Sequence, residues 1–351
     1  MMRPLESAPF VSVIVPVRNE ERHLSRCLES ILAQEYPRER LEIVIVENGS
    51  TDDTVSVAEG FARRDARIRL LISQARNQAE AMNVGIRAAR GDIVARVDGH
   101  SYLGAGYLCG VVDALRRYPD AVGVGGPFLP AGETLMERVA GRARSSPIGV
   151  GGGYGSDRKT EDHPVATVQC GGYWRAALLE IGLFDVDMAY GEDEELNWRF
   201  VRSGRVVMLC PGLAQYYRPR GSLRALARQY WNYGQGRLRV VRKHPDFLRA
   251  KHLVPSAFVV GLPLLGMAAL FGGAASFVAG GIASLYAALL IGAGAVEAGR
   301  GGWREAWLVP AAIFCMHAGY GSGMLWGMIQ QGISRRRAAR SAATTGERCR
   351  A

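Results

Sequence analysis

The sequence predicts an α/β chain: a doubly wound, mostly parallel sheet followed by helices of membrane-spanning length. Three observations carry this. Apolar runs of strand length alternate with helical patterns through residues 10–210. Nearly all the charge lies in residues 1–250, and Leu253–Val296 contains no Asp, Glu, Lys, Arg or His. Alternating strands and helices imply parallel strands, because a parallel pair needs a crossover between its members. The uncharged run is too long for one core helix and fits two membrane helices of about 20 residues each.

Phe10–Pro16 is a continuous apolar run, as a strand buried on both faces requires. Asn19 is placed to cap the next segment, in which Leu24, Cys27, Leu28, Ile31 and Leu32 recur on one helical face. Leu41–Val46 is a second buried-type strand, Gly49-Ser50-Thr51-Asp52 is turn and cap chemistry before a short helix, and Ile68–Ile72 is a third strand. Asn77–Ala89 reads as a helix and Asp92–Val97 as a fourth strand ending at Asp98. Residues 141–165, rich in Gly, Ser, Arg and Asp, read as a long loop, functional or disordered. Helical patterns return at Trp174–Ile181 and Glu192–Arg202, and a strand at Val206–Cys210. Ser222–Arg242 mixes Leu, Trp and Tyr with Arg at near-helical spacing, which suits a helix in a membrane interface.

The resulting domain plan is a catalytic domain at 1–221, an interfacial segment at 222–251, a membrane region of about three apolar spans at 252–331, and a basic tail at 332–351 that frays. The third span is Ala306–Ile329, broken only by His317, expected to make a polar contact inside a helical bundle. The net charge is +10, from 43 Lys and Arg against 33 Asp and Glu. The excess flanks the apolar runs, at Arg237, Arg239, Arg242, Lys243, Arg249 and Lys251 before them and Arg335, Arg336, Arg337 and Arg340 after them. That placement indicates anionic lipid as the partner and no nucleic acid. Six cysteines at scattered spacing fit free thiols in a reducing compartment, and no apolar leader precedes the first strand, so the soluble part is expected in the cytoplasm. A hairpin over Leu253–Val296 returns Arg300 and Arg304 to the cytoplasmic side, but one further span would carry Arg335–Arg340 across, against the positive-inside rule.

In open parallel sheets ligands bind beyond the carboxyl ends of the strands. Pro16, Arg18, Asn19 and Glu20 follow the first strand, Glu47, Asn48, Ser50 and Asp52 the second, and Asp98, Gly99 and His100 the fourth. The glycine fingerprint of a dinucleotide site, G-x-G-x-x-G, is absent after the first strand. Asp98 and His100, two apart at a strand end, offer a carboxylate and an imidazole to a divalent metal. Glu192-Asp193-Glu194-Glu195 opens a helix; mutual repulsion raises carboxyl pKa values, as a general base needs, while the helix terminus opposes the rise. The plainer reading is an acidic first turn with Glu195 and Arg199 as an i,i+4 pair. Cys27 and Cys170 read as packing residues and His163 as a loop residue.

Taken together, these segments resemble the family 2 glycosyltransferases, inverting enzymes of the GT-A fold, a Rossmann-like nucleotide-diphospho-sugar transferase architecture. The matches run in family order over about residues 10–220: Val13-Ile14-Val15-Pro16-Val17-Arg18-Asn19-Glu20; Val46-Glu47-Asn48-Gly49-Ser50-Thr51-Asp52-Asp53-Thr54; Asn77, Asn83, Gly85, Ala88 and Gly91; Asp98-Gly99-His100; and Gly191-Glu192-Asp193-Glu194-Glu195-Leu196 with Arg199. Within the family the chain is most similar to membrane-associated glucosyltransferases of succinoglycan-type exopolysaccharide pathways, through Arg96-Val97-Asp98-Gly99-His100, the Gly-rich segment ending near Tyr154, and Arg228-Gln229-Tyr230 through Arg242-Lys243-His244-Pro245. The resemblance implies that Pro16, Arg18, Glu20, Glu47, Asn77 and Asp98 hold the nucleotide sugar, that His100 with Asp98 ligates the metal, that Asp193 is the base and that Glu192 orients the acceptor. It implies a hexose donor such as UDP-glucose, a polyprenyl-diphosphate-linked glycan as acceptor, and a multi-pass protein of the bacterial inner membrane with its catalytic domain in the cytoplasm. Family members commonly carry Asp at the positions of Glu47 and His100; the imidazole at 100 points to Mn2+ rather than Mg2+. Two rivals are a processive polysaccharide synthase, whose Gln-x-x-Arg-Trp motif is missing after Gln229, and a non-catalytic membrane scaffold that binds nucleotide sugar.

Overall fold

The computed structural model describes residues 8–149, 160–270, 272–300 and 302–348. They form two compact units, one of the described residues in 8–141 and 160–219, the other of those in 142–149 and from 220 onward.

The first unit contains β1 (Val11–Val17), α1 (Leu24–Leu32), β2 (Leu41–Glu47), α2 (Thr54–Arg64), β3 (Ile68–Ile72), α3 (Gln78–Ala88), β4 (Ile93–Arg96), β5 (Ser101–Leu103), α4 (Tyr107–Arg117), β6 (Ala121–Gly125), β7 (Phe128–Pro130), most of α5 (Leu135–Ser145), β8 (His163–Pro164), β9 (Gly172–Trp174), α6 (Arg175–Glu180), α7 (Glu192–Arg202), β10 (Val206–Leu209) and β11 (Gln215–Tyr217). Among the described residues, eight strands form one sheet in the order β3-β2-β1-β4-β9-β6-β10-β8, and β5-β11-β7 form a second. β1 and β2 are buried along their whole length, as their unbroken apolar runs require. β1, β2, β3 and β4 are parallel to one another, with Val17 beside Glu47, so their carboxyl ends open on one edge.

Several expectations are corrected. Trp174 does not begin a helix; it ends β9, which runs antiparallel between β4 and β6, and it is the residue before α6. Residues 141–145 are helical, as the end of α5, and His163 pairs with Leu209 in β8; residues 150–159 of the expected loop lie outside the described residues. Asn19 caps no helix, since α1 begins at Leu24. The last helix continues into the basic tail, to Arg348.

The second unit holds α8 (Leu223–Lys243), α9 (Ala250–Ala269), α10 (Ala274–Gly299) and α11 (Trp303–Arg348). Ser222 caps α8 by accepting the Ala225 N–H at 3.2 Å. Ala250–Ala269, Ser276–Gly299 and Trp303–Gln330 are long and apolar enough to cross a membrane. The last is the centre of the bundle, with 44% of its apolar window buried against 6% and 11% for the others. As a 46-residue helix, α11 is about 69 Å long. His317 makes the expected intra-bundle contact, at 3.0 Å from the Tyr286 hydroxyl and 2.8 Å from the Ile148 carbonyl.

α8 and α11 meet along a seam of glycines. Gly319, Gly323 and Gly327 recur every fourth residue on α11; a Cβ at Gly319 would strike the Ala227 carbonyl, one at Gly323 the Trp231 backbone, and one at Gly234 of α8 the Tyr320 carbonyl. Gly323→Ala is therefore expected to destabilise the protein by about 1–3 kcal/mol, as overpacking against rigid backbone does. Gly266→Ala in α9, where a Cβ meets nothing within 4 Å, is expected to be neutral or stabilising. Thermal unfolding of the detergent-purified variants measures both; equal effects would mean that the seam is not close-packed.

Candidate active site

The loops after β1 and β2 are stitched into one surface. Asn19 adopts φ +56°, which Asn tolerates better than most residues, and its Oδ1 accepts the Thr51 N–H at 2.8 Å while its own N–H donates to Ser50 Oγ at 3.0 Å. The Glu20 N–H donates to Thr54 Oγ1 at 2.7 Å and the Glu21 N–H to Asp52 at 3.3 Å. Pro16 is buried in β1 beside Val46, and Arg18 is exposed at the rim. Glu47 is buried, and its carboxylate accepts the Ser50 N–H.

Asn77 and Asn83 tie α3 to the segment that leads to α7. Asn77 caps α3 through the Glu80 N–H at 3.0 Å and donates to the Val186 carbonyl at 2.7 Å. Asn83 both accepts from and donates to the Phe184 backbone, at 2.9 and 2.8 Å. The two amides thus hold the segment leading to α7. Arg199 holds its other side, reaching the Ile181 and Leu183 carbonyls at 2.6 Å each while gripping Glu195 at 2.8 Å. Glu195 is therefore the structural i,i+4 partner, and the acidic first turn divides by role.

Glu192 and Asp193 turn the other way, onto Arg96. This guanidinium, at the end of β4 with a side chain only 3% exposed, donates to Asp193 at 2.7 Å, Glu192 at 3.0 Å and Asp98 at 2.9 Å. Gln78 adds a bond to Asp98 at 2.7 Å. Cys170 lies in the left-handed region at φ +49°, and its carbonyl accepts the Tyr107 hydroxyl at 3.1 Å. It is buried, as a packing residue would be.

The electrostatics separate the carboxylates. Burial raises Asp193 most; Arg96 lowers it, Glu192 and Asp98 raise it further, and the result is about 7. Burial also acts upward on Asp98, but Arg96 and then His100 outweigh it and hold that carboxyl below its ordinary value. Burial works against the charge on Arg96, yet Asp193 and Asp98 hold its pKa above the usual value. The expected cause for Asp193 was repulsion along the first turn; burial is the larger one.

The structure thus brings Asp98, Glu192 and Asp193 together around Arg96, and pairs His100 Nδ1 with Glu20 at 2.9 Å rather than presenting Asp98 and His100 as one bare ligand pair. Among the described residues no group of three or more His, Cys, Asp or Glu side chains is arranged to hold a metal. In the sequence Arg96 stands out only as part of the Arg96-Val97-Asp98-Gly99-His100 motif. Its signal was a cation ending the apolar run Ile93-Val94-Ala95, two residues before Asp98 and so on the same side of the strand.

The model of glycosyl transferase family 2 matches residues 12–182. A dolichyl N-acetyl-alpha-D-glucosaminyl phosphate 3-beta-D-2,3-diacetamido-2,3-dideoxy-beta-D-glucuronosyltransferase of Methanococcus voltae is 29% identical over 67% of this chain and 74% of its own. The succinoglycan biosynthesis protein ExoA of Rhizobium meliloti is 27% identical over 70% of this chain and 74% of its own. The mannosyltransferase PcManGT of Pyrobaculum calidifontis, solved with GDP-Man and Mn2+, superposes with a TM-score of 0.63 at 21% identity, over 89% of this chain and 87% of that one, which shows the shared fold. With the mixed sheet and the stitched loops, residues 12–182 form a glycosyl transferase family 2 domain.

Proposed function

We propose that the chain transfers a hexose, with inversion, from a nucleotide diphosphate sugar such as UDP-glucose to a polyprenyl-diphosphate-linked glycan of a cell-surface or exopolysaccharide. The observation that carries this reading is Asp193, a buried carboxylate bonded by Arg96 at 2.7 Å, whose pKa burial raises to about 7. A base of that pKa is part-ionised at neutral pH and takes a hydroxyl proton readily. Asp193 removes the acceptor proton, the freed oxygen attacks the anomeric carbon from the face opposite the nucleotide, and Glu192 orients the acceptor. Glu47, Pro16 and Arg18 line the nucleotide side, and Asp98 faces the ribose and diphosphate.

A divalent ion fits here only as one shared with the substrate. Asp98, His100 and the adjoining Glu20 supply few protein donors, and the remaining ligands would be diphosphate oxygens and water. Such an ion supplies charge neutralisation to the departing diphosphate. Because one donor is imidazole, transfer should be several-fold faster with Mn2+ than with Mg2+, and His100→Asp should narrow that ratio. Equal rates with both ions, unchanged in His100→Ala, would remove His100 from the ligand set.

The apolar spans and the basic, aromatic α8 support a multi-pass protein of the inner membrane with its catalytic unit in the cytoplasm. The names of the dolichyl-phosphate and succinoglycan relatives support the lipid-linked acceptor. The test is transfer of labelled sugar by the full chain to detergent-dispersed polyprenyl-diphosphate glycan and to the same glycan free in solution. Transfer at least tenfold better to the lipid-linked form is expected; equal use of the soluble glycan would refute the lipid requirement. Donor binding with no turnover on any acceptor would instead favour the scaffold.

A further inference from the structure

α11 differs from α9 and α10 in what covers it. A span needs about 20 residues, and every stretch of that length within Trp303–Gln330 includes His317, Gly319 and Tyr320. His317 Nε2 lies 2.8 Å from the Ile148 carbonyl and 3.2 Å from the Gly149 carbonyl, both beyond the end of α5 at Ser145. Ser145 and Pro147, just before them, are exposed. Gly319 approaches the Ala227 carbonyl of α8, and the Tyr320 hydroxyl accepts from Arg237 Nε at 3.3 Å. α8 carries six Arg and Lys and no acidic residue, and Arg228 and Arg239 are exposed. A crossing α11 would carry all of these groups to the level of the hydrocarbon. Lipid-facing irregular backbone does not occur there, and cations at that depth are costly.

α9 and α10 show the opposite. Their apolar windows are almost wholly exposed, and Leu253–Val296 holds no Asp, Glu, Lys, Arg or His. Leu264, Leu270, Phe277 and Leu285 all face outward. The Phe258 ring lies 4.5 Å from that of Tyr286, so α10 folds back along α9.

We propose that α9 and α10 alone enter the hydrocarbon, as a hairpin, and that α11 stays with α8 at the membrane surface, on the side that holds the first unit. Both coverings of α11 are tied to that side by the chain itself: β11 ends at Tyr217 and α8 starts at Leu223, and α5 runs out of the first unit into Arg142. Trp303, Trp307 and Trp326, exposed on α11, suit the headgroup layer. Two crossings instead of three keep Arg300, Arg304 and the tail at Arg335–Arg340 together beside the catalytic unit, as the positive-inside rule requires. The tail then meets the anionic leaflet that its charge suits. That a bilayer is the partner rests on the function proposed above; which helices enter it rests on the packing.

The test places two reporters in turn after Leu270 and after Ala351 of the full chain in a bacterial host. Alkaline phosphatase is active only outside the inner membrane, and green fluorescent protein fluoresces only inside it. Phosphatase activity without fluorescence is expected after Leu270, and fluorescence without phosphatase activity after Ala351. Phosphatase activity at both sites would mean that α11 crosses; it overturns the inference and leaves the membrane reading standing. Fluorescence at both sites would mean that the hairpin does not cross, and overturns both. The chain without reporters gives a second readout. A membrane-impermeant maleimide should leave Cys349 unlabelled in spheroplasts until they are broken, with Cys349→Ser identifying its share of the label. Labelling of Cys349 in intact spheroplasts overturns the inference.

Discussion

Asp193→Asn is expected to lower the transfer rate by about 10²–10⁴-fold, the usual contribution of a general base. The amide keeps the shape and the bond from Arg96 but accepts no proton. Nucleotide binding should stay within a few-fold of native, because the residues assigned to the nucleotide lie on the loops after β1, β2 and β4. The native rate should fall as pH drops below about 7, where Asp193 takes up its proton; the residual rate of the variant should lack that limb. Stability should move the opposite way. A carboxyl whose folded pKa lies above its unfolded value adds stability at low pH, and that contribution is lost as pH rises through the folded value. Asp193→Asn should therefore raise the unfolding temperature relative to native at pH 8 and less so at pH 4. Substantial turnover in the variant, with the acid limb intact, would remove Asp193 from the role of base.

Arg96→Met should be the most damaging single change in the first unit. It leaves Asp98, Glu192 and Asp193 buried with no cation among them, and breaking a buried pair in this way costs about 3–5 kcal/mol. The carboxylates would relieve part of that cost by binding protons, so any remaining activity should shift its acid limb to higher pH. Arg96→Lys should fall between, because one ammonium nitrogen cannot reach the three carboxylates that Nε, Nη1 and Nη2 meet separately. Thermal unfolding and the pH–rate profile are the measurements. Native stability together with a native profile in Arg96→Met would show that Arg96 does not balance the cluster.

These two residues also mark how far the sequence could be read. Asp193 was legible because α7 begins at Glu192 and its acidic turn is a linear pattern. Arg96 was visible as a letter, but its role depends on burial and on α7 arriving from residues 192 and 193, and no linear pattern carries that. Long elements such as β1, β2, α3 and α7 announce themselves through runs and periods. β5, β7 and β9 have three residues each, too few to establish a period, and β9 enters the sheet antiparallel through pairings with distant strands. The left-handed conformation of Cys170 has no compositional signal, since cysteine carries none of the freedom that marks Gly or Asn. Nothing in the sequence around Asn77 shows that its amide is tied to Val186, 109 residues away.

The glycine seam between α8 and α11 constrains how the chain can change in length. An inserted or deleted residue between Ala227 and Leu238 would rotate the rest of α8 by about 100° and swing Gly234 away from Tyr320. Side chains with a Cβ would then face carbonyls that tolerate none. Indels within these two helices should survive selection only in steps near seven residues, about two full turns, which restore the facing positions. The short link at Pro245–Phe247 lies outside the seam and is where single-residue changes in length should be accepted.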